Sequence, residues 1–336
     1  MVAANTTEMA EQPQTRARIG ERSRTRLRLL LPAPLKHVGK AFSDSVDPLR
    51  IRRYHATSGD LRPVPPGALR ARSGRPGIQL FIDSARRSAD ELEAALAAAG
   101  RSLPDFDRVL DFGCGCGRVL GELERRGESG PALFGCDIDG EAIEWAQSHL
   151  AGVRLARNGL NPPLPYPDAT FDLVYSSSVF THIDADAQRG WLQAIKRVLR
   201  PGGLALISVY GEHAFDGYRS GRLLGVSRDF QSRLADYGSL DGPGIVFAPY
   251  GRSAWNNFNF VGTSEAYGIT FNSESYVRRE WSKHLDVVTV LPRSWWFTSQ
   301  DLVVLENPRR ERETLAAGAA VEQTTGFETK AARGMG

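Results

Sequence analysis

The residues best suited to chemistry gather in one stretch, Val109-Leu110-Asp111-Phe112-Gly113-Cys114-Gly115-Cys116-Gly117. An apolar run ends there in an acid followed by three alternating glycines. Glycine belongs where backbone must turn sharply and meet a ligand with no Cβ in the way. A helix starting just after such a loop offers unpaired N–H groups to ligand oxygens. Dinucleotide-binding loops use a related turn, with glycine at the first, third and sixth positions. Counted from Gly113 the sixth position is Arg118, so that pattern fails. Asp111 at the head of the loop would also repel a pyrophosphate. It suits a ligand carrying an ammonium and a sulfonium.

That charge logic selects S-adenosylmethionine. Asp111-x-Gly113-x-Gly115-x-Gly117 resembles the first motif of class I S-adenosylmethionine-dependent methyltransferases at every diagnostic position. The resemblance implies a loop that wraps the methionine part of the cofactor, with Asp111, Gly113, Cys114, Gly115 and Gly117 as binding residues. Asp137, in Gly135-Cys136-Asp137-Ile138-Asp139, falls where that family places an acid bonding both ribose hydroxyls, with Ile138 beside it. Asn158-Gly159-Leu160 stands where the family often has an Asp for the adenine amine, and Asn keeps a carbonyl acceptor for it. Ser176, ending the fourth strand, completes the expected cofactor set. The approach Leu164–Val174 and the turn Arg197–Gly203 also resemble the family. Asn161-Pro162-Pro163-Leu164 resembles a motif for methylating planar amino groups, but it precedes the fourth strand and lacks the aromatic, so it reads as a proline-rich loop.

Methyl transfer from a sulfonium is an in-line displacement that positioning accelerates without a metal, whereas a hydroxyl acceptor needs a base. The segment Tyr175–His182 lies where the family faces the reactive methyl, which makes His182 a candidate base. Its alternative is local bonding at the start of the next helix. His213, past the fifth strand beside Glu212, is a second candidate, with a plain loop histidine as its alternative.

The elements that must hold these residues alternate along the chain. Strands are expected at Asp107–Phe112, Ala132–Cys136, Val153–Ala156, Phe171–Ser176 and Leu204–Tyr210, then at Leu285–Leu291 and Gln300–Glu306. Helices fall between them at about 118–126, 140–150 and 185–199, with others at 78–99 and 273–284. This order predicts a Rossmann-like α/β fold: a seven-stranded, mostly parallel sheet, helices on both faces, and an antiparallel last strand. An aromatic-rich insertion at 211–272 follows strand five and is expected to cap the acceptor. Residues 78–306 thus form the expected methyltransferase domain. Residues 1–60 read as a largely disordered basic tail, 61–77 as a Pro/Gly/Arg linker, and 307–336 as a second disordered tail.

Composition narrows the function. Net charge is only +3, but residues 1–60 hold eleven Arg or Lys against six Asp or Glu. The remainder is near neutral, which argues against a nucleic-acid-binding body. The basic tail, over residues 16–53, could contact an anionic membrane or serve as a tether. The three cysteines, Cys114, Cys116 and Cys136, suit a reducing compartment and a structural role, and no zinc-spaced ligand set accompanies them. No apolar run is long enough to span a bilayer and no secretory segment is visible. The expectation is a cytoplasmic enzyme, peripheral at most at the inner membrane face, using S-adenosylmethionine and no metal. Its expected acceptor is a hydroxyl of a small molecule, glycan or lipid-linked group. The alternatives are an RNA or protein methyltransferase tethered by the tail, or a non-catalytic cofactor-binding protein.

Overall fold

The computed structural model describes residues 33–127, 130–223, 228–237, 239–240, 242, 244–249, 267–295 and 299–309. The chain divides into two units, residues 1–61 with 66–68, and residues 62–65 with 69–336. In the first unit α1 (Ala33–Ser58) is a helix where the composition had predicted a disordered tail. Tyr54 closes its end by donating to Asp60 (3.3 Å). The rest of the expected tail, residues 1–32, lies outside the described residues, as does 310–336.

The expected linker contains α2 (Gly67–Arg72), and α3 (Ile78–Ala98) follows with Gly100 in the left-handed region just past its end. The core then runs β1 (Arg108–Phe112), α4 (Arg118–Arg126), β2 (Ala132–Asp137), α5 (Gly140–His149), β3 (Val153–Arg157), β4 (Phe171–Ser176), α6 (Ala185–Val198) and β5 (Leu199–Val209). Within the insertion stand α7 (Glu212–Arg219), α8 (Arg228–Ala235), β6 (Ile245–Pro249) and β7 (Gly268–Asn272). The chain then forms α9 (Glu274–Glu280), a 3₁₀ turn at Trp281–Lys283, β8 (Asp286–Trp295) and β9 (Gln300–Glu306).

The seven strands of the main sheet lie in the order β3-β2-β1-β4-β5-β9-β8, parallel from β3 to β5 and antiparallel on either side of β9. This is the expected Rossmann-like sheet with its antiparallel last strand. The two faces follow from the period of two along a strand. On β1, Val109 packs with α3, α4 and α5 through Leu92, Leu120 and Ile143, while Leu110 and Phe112 pack with α6 through Trp191 and Ile195. Asp111 shares the Val109 face. The chain order reverses at β1, which lies between β2 and β4, and open α/β sheets bind ligands at the carboxyl ends of strands around such a point. The insertion builds its own core of Tyr210, Phe215, Leu234, Val246 and Phe271. Among the described residues no helix is long and apolar enough to cross a membrane.

Candidate active site

The β1–α4 loop is tied down at each turn. Gly113 and Cys114 donate backbone N–H bonds to the Cys136 carbonyl (2.8 and 3.1 Å), which fixes the loop against the end of β2. Gly113 and Gly115 lie at φ +83° and +54°, a region that L side chains rarely adopt. Their surroundings differ. A Cβ on Gly113 would collide with Val179, whereas one on Gly115 would meet no atom within 4 Å and would project into open space. Gly113 is therefore required by packing, and Gly115 leaves room for a ligand.

Asp137 ends β2, with Oδ2 accepting from Gly115 N (2.7 Å) and Oδ1 from Asp139 N (2.8 Å). These bonds orient the carboxylate and leave each oxygen a further lone pair. Burial raises its pKa while the two N–H bonds oppose the shift. Asp111 is only 2% exposed, and its Oδ1 has no hydrogen-bonded partner. Burial pushes its pKa up to about 7 against the opposing influence of Tyr175 and Arg118, while Asp137 adds to the rise. Asn158, buried at the end of β3, donates from Nδ2 to the Gly159 carbonyl (2.7 Å) and leaves Oδ1 unpartnered. Its backbone N–H donates to the Asp137 carbonyl (3.0 Å), joining the ends of β2 and β3.

All three side chains line one cavity of about 350 Å³, within the ~300–1,000 Å³ usual for small-molecule sites. Two buried acceptors without donors are costly unless a ligand supplies them. An ammonium at Asp111 and an aromatic amine at Asn158 would do so, and both belong to S-adenosylmethionine. The unpartnered acceptors, the glycine opening and the oriented Asp137 carboxylate therefore fit that cofactor.

Residues 109–203 match a family described as a methyltransferase domain. The chain carries a class I S-adenosylmethionine-dependent methyltransferase domain. It is similar to a tRNA N(3)-cytidine methyltransferase of Gallus gallus, 29% identical over 115 residues, which are 32% of this chain and 31% of that protein. A tRNA (carboxymethyluridine(34)-5-O)-methyltransferase of Arabidopsis thaliana is 32% identical over 124 residues, 36% of this chain and 28% of that protein. A sterol 24-C-methyltransferase of Gibberella zeae is 32% identical over 107 residues, 29% of this chain and 26% of that protein. The chain spans about a third or less of the length of these relatives, and their named acceptors are chemically unlike one another.

In this methyltransferase domain most of the expected cofactor residues meet in the cavity. Asp111, Gly113, Cys114, Gly115, Asp137, Ile138, Asn158 and Leu160 all line it. Gly117 and Gly159 do not. Gly117 caps α4 in the left-handed region instead, and Gly159 is exposed. Ser176 needs correction: it is buried inside the sheet and donates to the Phe112 carbonyl (3.0 Å). Its neighbours Ser177 and Ser178, past the strand end, reach the cavity in its place. Ser178 lies at φ +63°, held by Ser208 Oγ at its N–H (2.8 Å) and by Gln300 at its hydroxyl. Such strain in a non-glycine residue persists only where surrounding structure enforces it.

His182 also lines the cavity, stacked on Tyr267 at 5.1 Å. Its Nδ1 lies 2.9 Å from the Gly268 carbonyl, which only a protonated Nδ1 can satisfy, so the neutral ring carries its lone pair on Nε2. Burial lowers its pKa below the usual value, with the Gly268 bond opposing. β7 holds this histidine: Gly268 N donates to the His182 carbonyl (2.9 Å) and Thr270 N to that of Thr181 (2.8 Å). His213 is not among the cavity residues. It sits on α7, and the structure does not bring it to the site. Leu69, Arg72, Ser73 and Gly74, within the expected linker, line the same cavity, and nothing in their composition pointed there.

Proposed function

We propose that this protein transfers a methyl group from S-adenosylmethionine to a hydroxyl of an uncharged small molecule, glycan or lipid-linked group. The observation that carries the reading is the composition of the cavity away from Asp111 and Asp137. The cavity's two guanidiniums are engaged by other groups, Arg72 with Asp139 and Glu141 and Arg118 with Ser84 and Ser88. The described lining contributed after β4 (Ser177, Ser178, Val179, His182, Ile183, Ala187, Trp191, Tyr210 and Tyr267) holds no carboxylate, Lys or Arg. A phosphate backbone is normally met by such cations. Rings with hydroxyl ends suit a planar or sugar-like surface instead.

Bound S-adenosylmethionine supplies an electrophilic methyl on a positive sulfur. When S-adenosylmethionine and an acceptor are bound, His182 Nε2 would take the proton of the acceptor hydroxyl and become an imidazolium. Desolvation keeps the ring neutral and ready near pH 7, and the Gly268 carbonyl stabilises the charge it gains. The glycine loop and Asp137 hold the donor in line.

Two of the relatives are named for tRNA, which supports a second reading as an RNA methyltransferase with the basic N-terminal segment as tether. The experiment that separates the two is incubation of the full chain with methyl-labelled S-adenosylmethionine and either a metabolite and lipid extract or total tRNA. Label in a small hydroxylated product supports the proposal, whereas label in tRNA alone overturns it.

A further inference from the structure

Residues 62–77 have the composition of a linker, yet the part after α2 begins is fastened at several points. Arg70 is buried, and its guanidinium donates to the carbonyls of Pro65 (2.5 Å) and Pro76 (2.9 Å). Ser73 Oγ donates to the Arg70 carbonyl (2.7 Å), and Gly74 turns the chain at φ +71°. Upstream, Arg62 pairs with the fully buried Glu122 carboxylate of α4 (2.6 Å). The segment is thus a preformed turn. Arg72 connects it to the far wall of the cavity.

Arg72 Nη1 reaches both carboxylate oxygens of Asp139 (2.8 and 2.7 Å), and Nη2 pairs with Glu141. The Asp139 side chain is 11% exposed and caps α5 by accepting from Ala142 N, while its own N–H donates to Asp137. A continuous path therefore runs from Arg72 through Asp139 to the acid that fits the ribose. Leu69, Arg72, Ser73 and Gly74 line the cavity together with Asp137, Ile138 and Asp139.

We propose that Arg72 is a positioning residue for the cofactor, its pairs with Asp139 and Glu141 holding residues 69–74 as a strap against the ribose end of the cavity. The inference rests on the assignment of this cavity to S-adenosylmethionine. The strap works by charge-assisted bonds that are half-sheltered from water, so it is firm at low salt and loosened by ionic strength. Its release exposes the cofactor without altering any group that touches the sulfonium.

The test is the dissociation rate of S-adenosylhomocysteine from the full chain, followed by stopped-flow tryptophan fluorescence at rising sodium chloride. In the wild type, dissociation accelerates with salt. Arg72→Met accelerates it roughly tenfold at low salt, the scale of losing a charge-assisted pair, and removes most of the salt dependence. Arg72→Lys keeps one charge without the two-pronged geometry and falls between them. Glu141→Gln, on a side chain 65% exposed, gives a smaller acceleration in a protein whose fold is not at risk. If both Arg72→Met and Glu141→Gln release the product at the wild-type rate with the wild-type salt slope, the strap is overturned and the cofactor site stands. If the wild type itself binds no S-adenosylhomocysteine, the cavity assignment fails and the strap with it.

Discussion

Asp111→Asn should stabilise the free protein while damaging its cofactor site. The carboxyl group sits on β1 facing Tyr175 of β4, Arg118 of α4 and Asp137 of β2, and burial lifts its pKa from 3.8 to about 7. For an acid whose folded pKa is raised, the unfolded chain gives up its proton first. Stability is therefore full below pH ~4, falls as pH climbs to ~7, and levels off above that. Three pH units at about 1.4 kcal/mol each set the cost of ionised Asp111 in the free fold at about 4 kcal/mol at most. Asparagine has the same shape and no such cost. At pH 8 the variant should melt several degrees above wild type, at ~2 °C or more per kcal/mol for a domain of this size, and the gap should close by pH 4. With ligand present the order reverses. The cofactor's ammonium gives Oδ1 the partner that it lacks, so Asp111→Asn should weaken S-adenosylhomocysteine binding by about 1.5–3 kcal/mol. Wild-type binding at pH 7 should also release roughly half a proton, since about half of the free protein is protonated there. Calorimetry in buffers of different ionisation enthalpy measures that release, and scanning calorimetry the melting. A variant no more stable than wild type at pH 8 that also binds normally would refute the reasoning at both ends.

His182→Ala should lower turnover by about 10²–10⁴-fold, the usual share of a general base, and leave cofactor affinity nearly unchanged in calorimetry. Because burial lowers the His182 pKa, the wild-type rate should rise with pH on the acid side of 6.5 and be level by pH 7, and the variant should lack that limb. Gly115→Val should fold, since its side chain meets open space, but at φ +54° it carries strain of about 1–3 kcal/mol and fills the cofactor's path; undiminished binding would remove the loop from the site. Transfer should survive EDTA, because displacement at a sulfonium needs no Lewis acid; a loss restored by added zinc or magnesium would give the buried Cys114 and Cys116 another role.

The sheet was legible because each core strand is a short apolar run bounded by turn residues, and because β1 runs directly into its glycines. The ends of elements were less so. β5 begins at Leu199, five residues before the expected start, since the turn at Pro201–Gly203 continues in extended pairing. β7 was missed although Ile269 and Phe271 alternate with Thr270 and Asn272: the run is only five residues long, and its polar positions are buried because Thr270 bonds the Ile183 carbonyl and Asn272 bonds Gln188. The part of the expected acceptor cap at 250–266 lies outside the described residues.

The site divides along the same line. Asp111, Asp137, Gly113 and Gly115 could be placed at the cavity because backbone position at strand ends is fixed by sequence order. Ser176 was misplaced by one residue because the last strand position still obeys the inward-outward alternation, and only beyond it can a side chain turn into the cavity. Arg72 carried no signal, and Tyr267 only its place in the aromatic-rich insertion. Each reaches the site across the fold, one by pairing with an acid 67 residues away and the other just before β7, whose Gly268 is hydrogen-bonded to His182, 86 residues earlier. Such partners are set by tertiary packing. The same division bears on the proposed transfer. The proposed cofactor half lies at strand ends within residues 109–203, the span that matches the methyltransferase-domain family. The proposed base, His182, is held by β7, whose Gly268 carbonyl fixes its tautomer. If His182 is the base and the insertion caps the acceptor, changes to β7 should alter acceptor choice and the readiness of the base together.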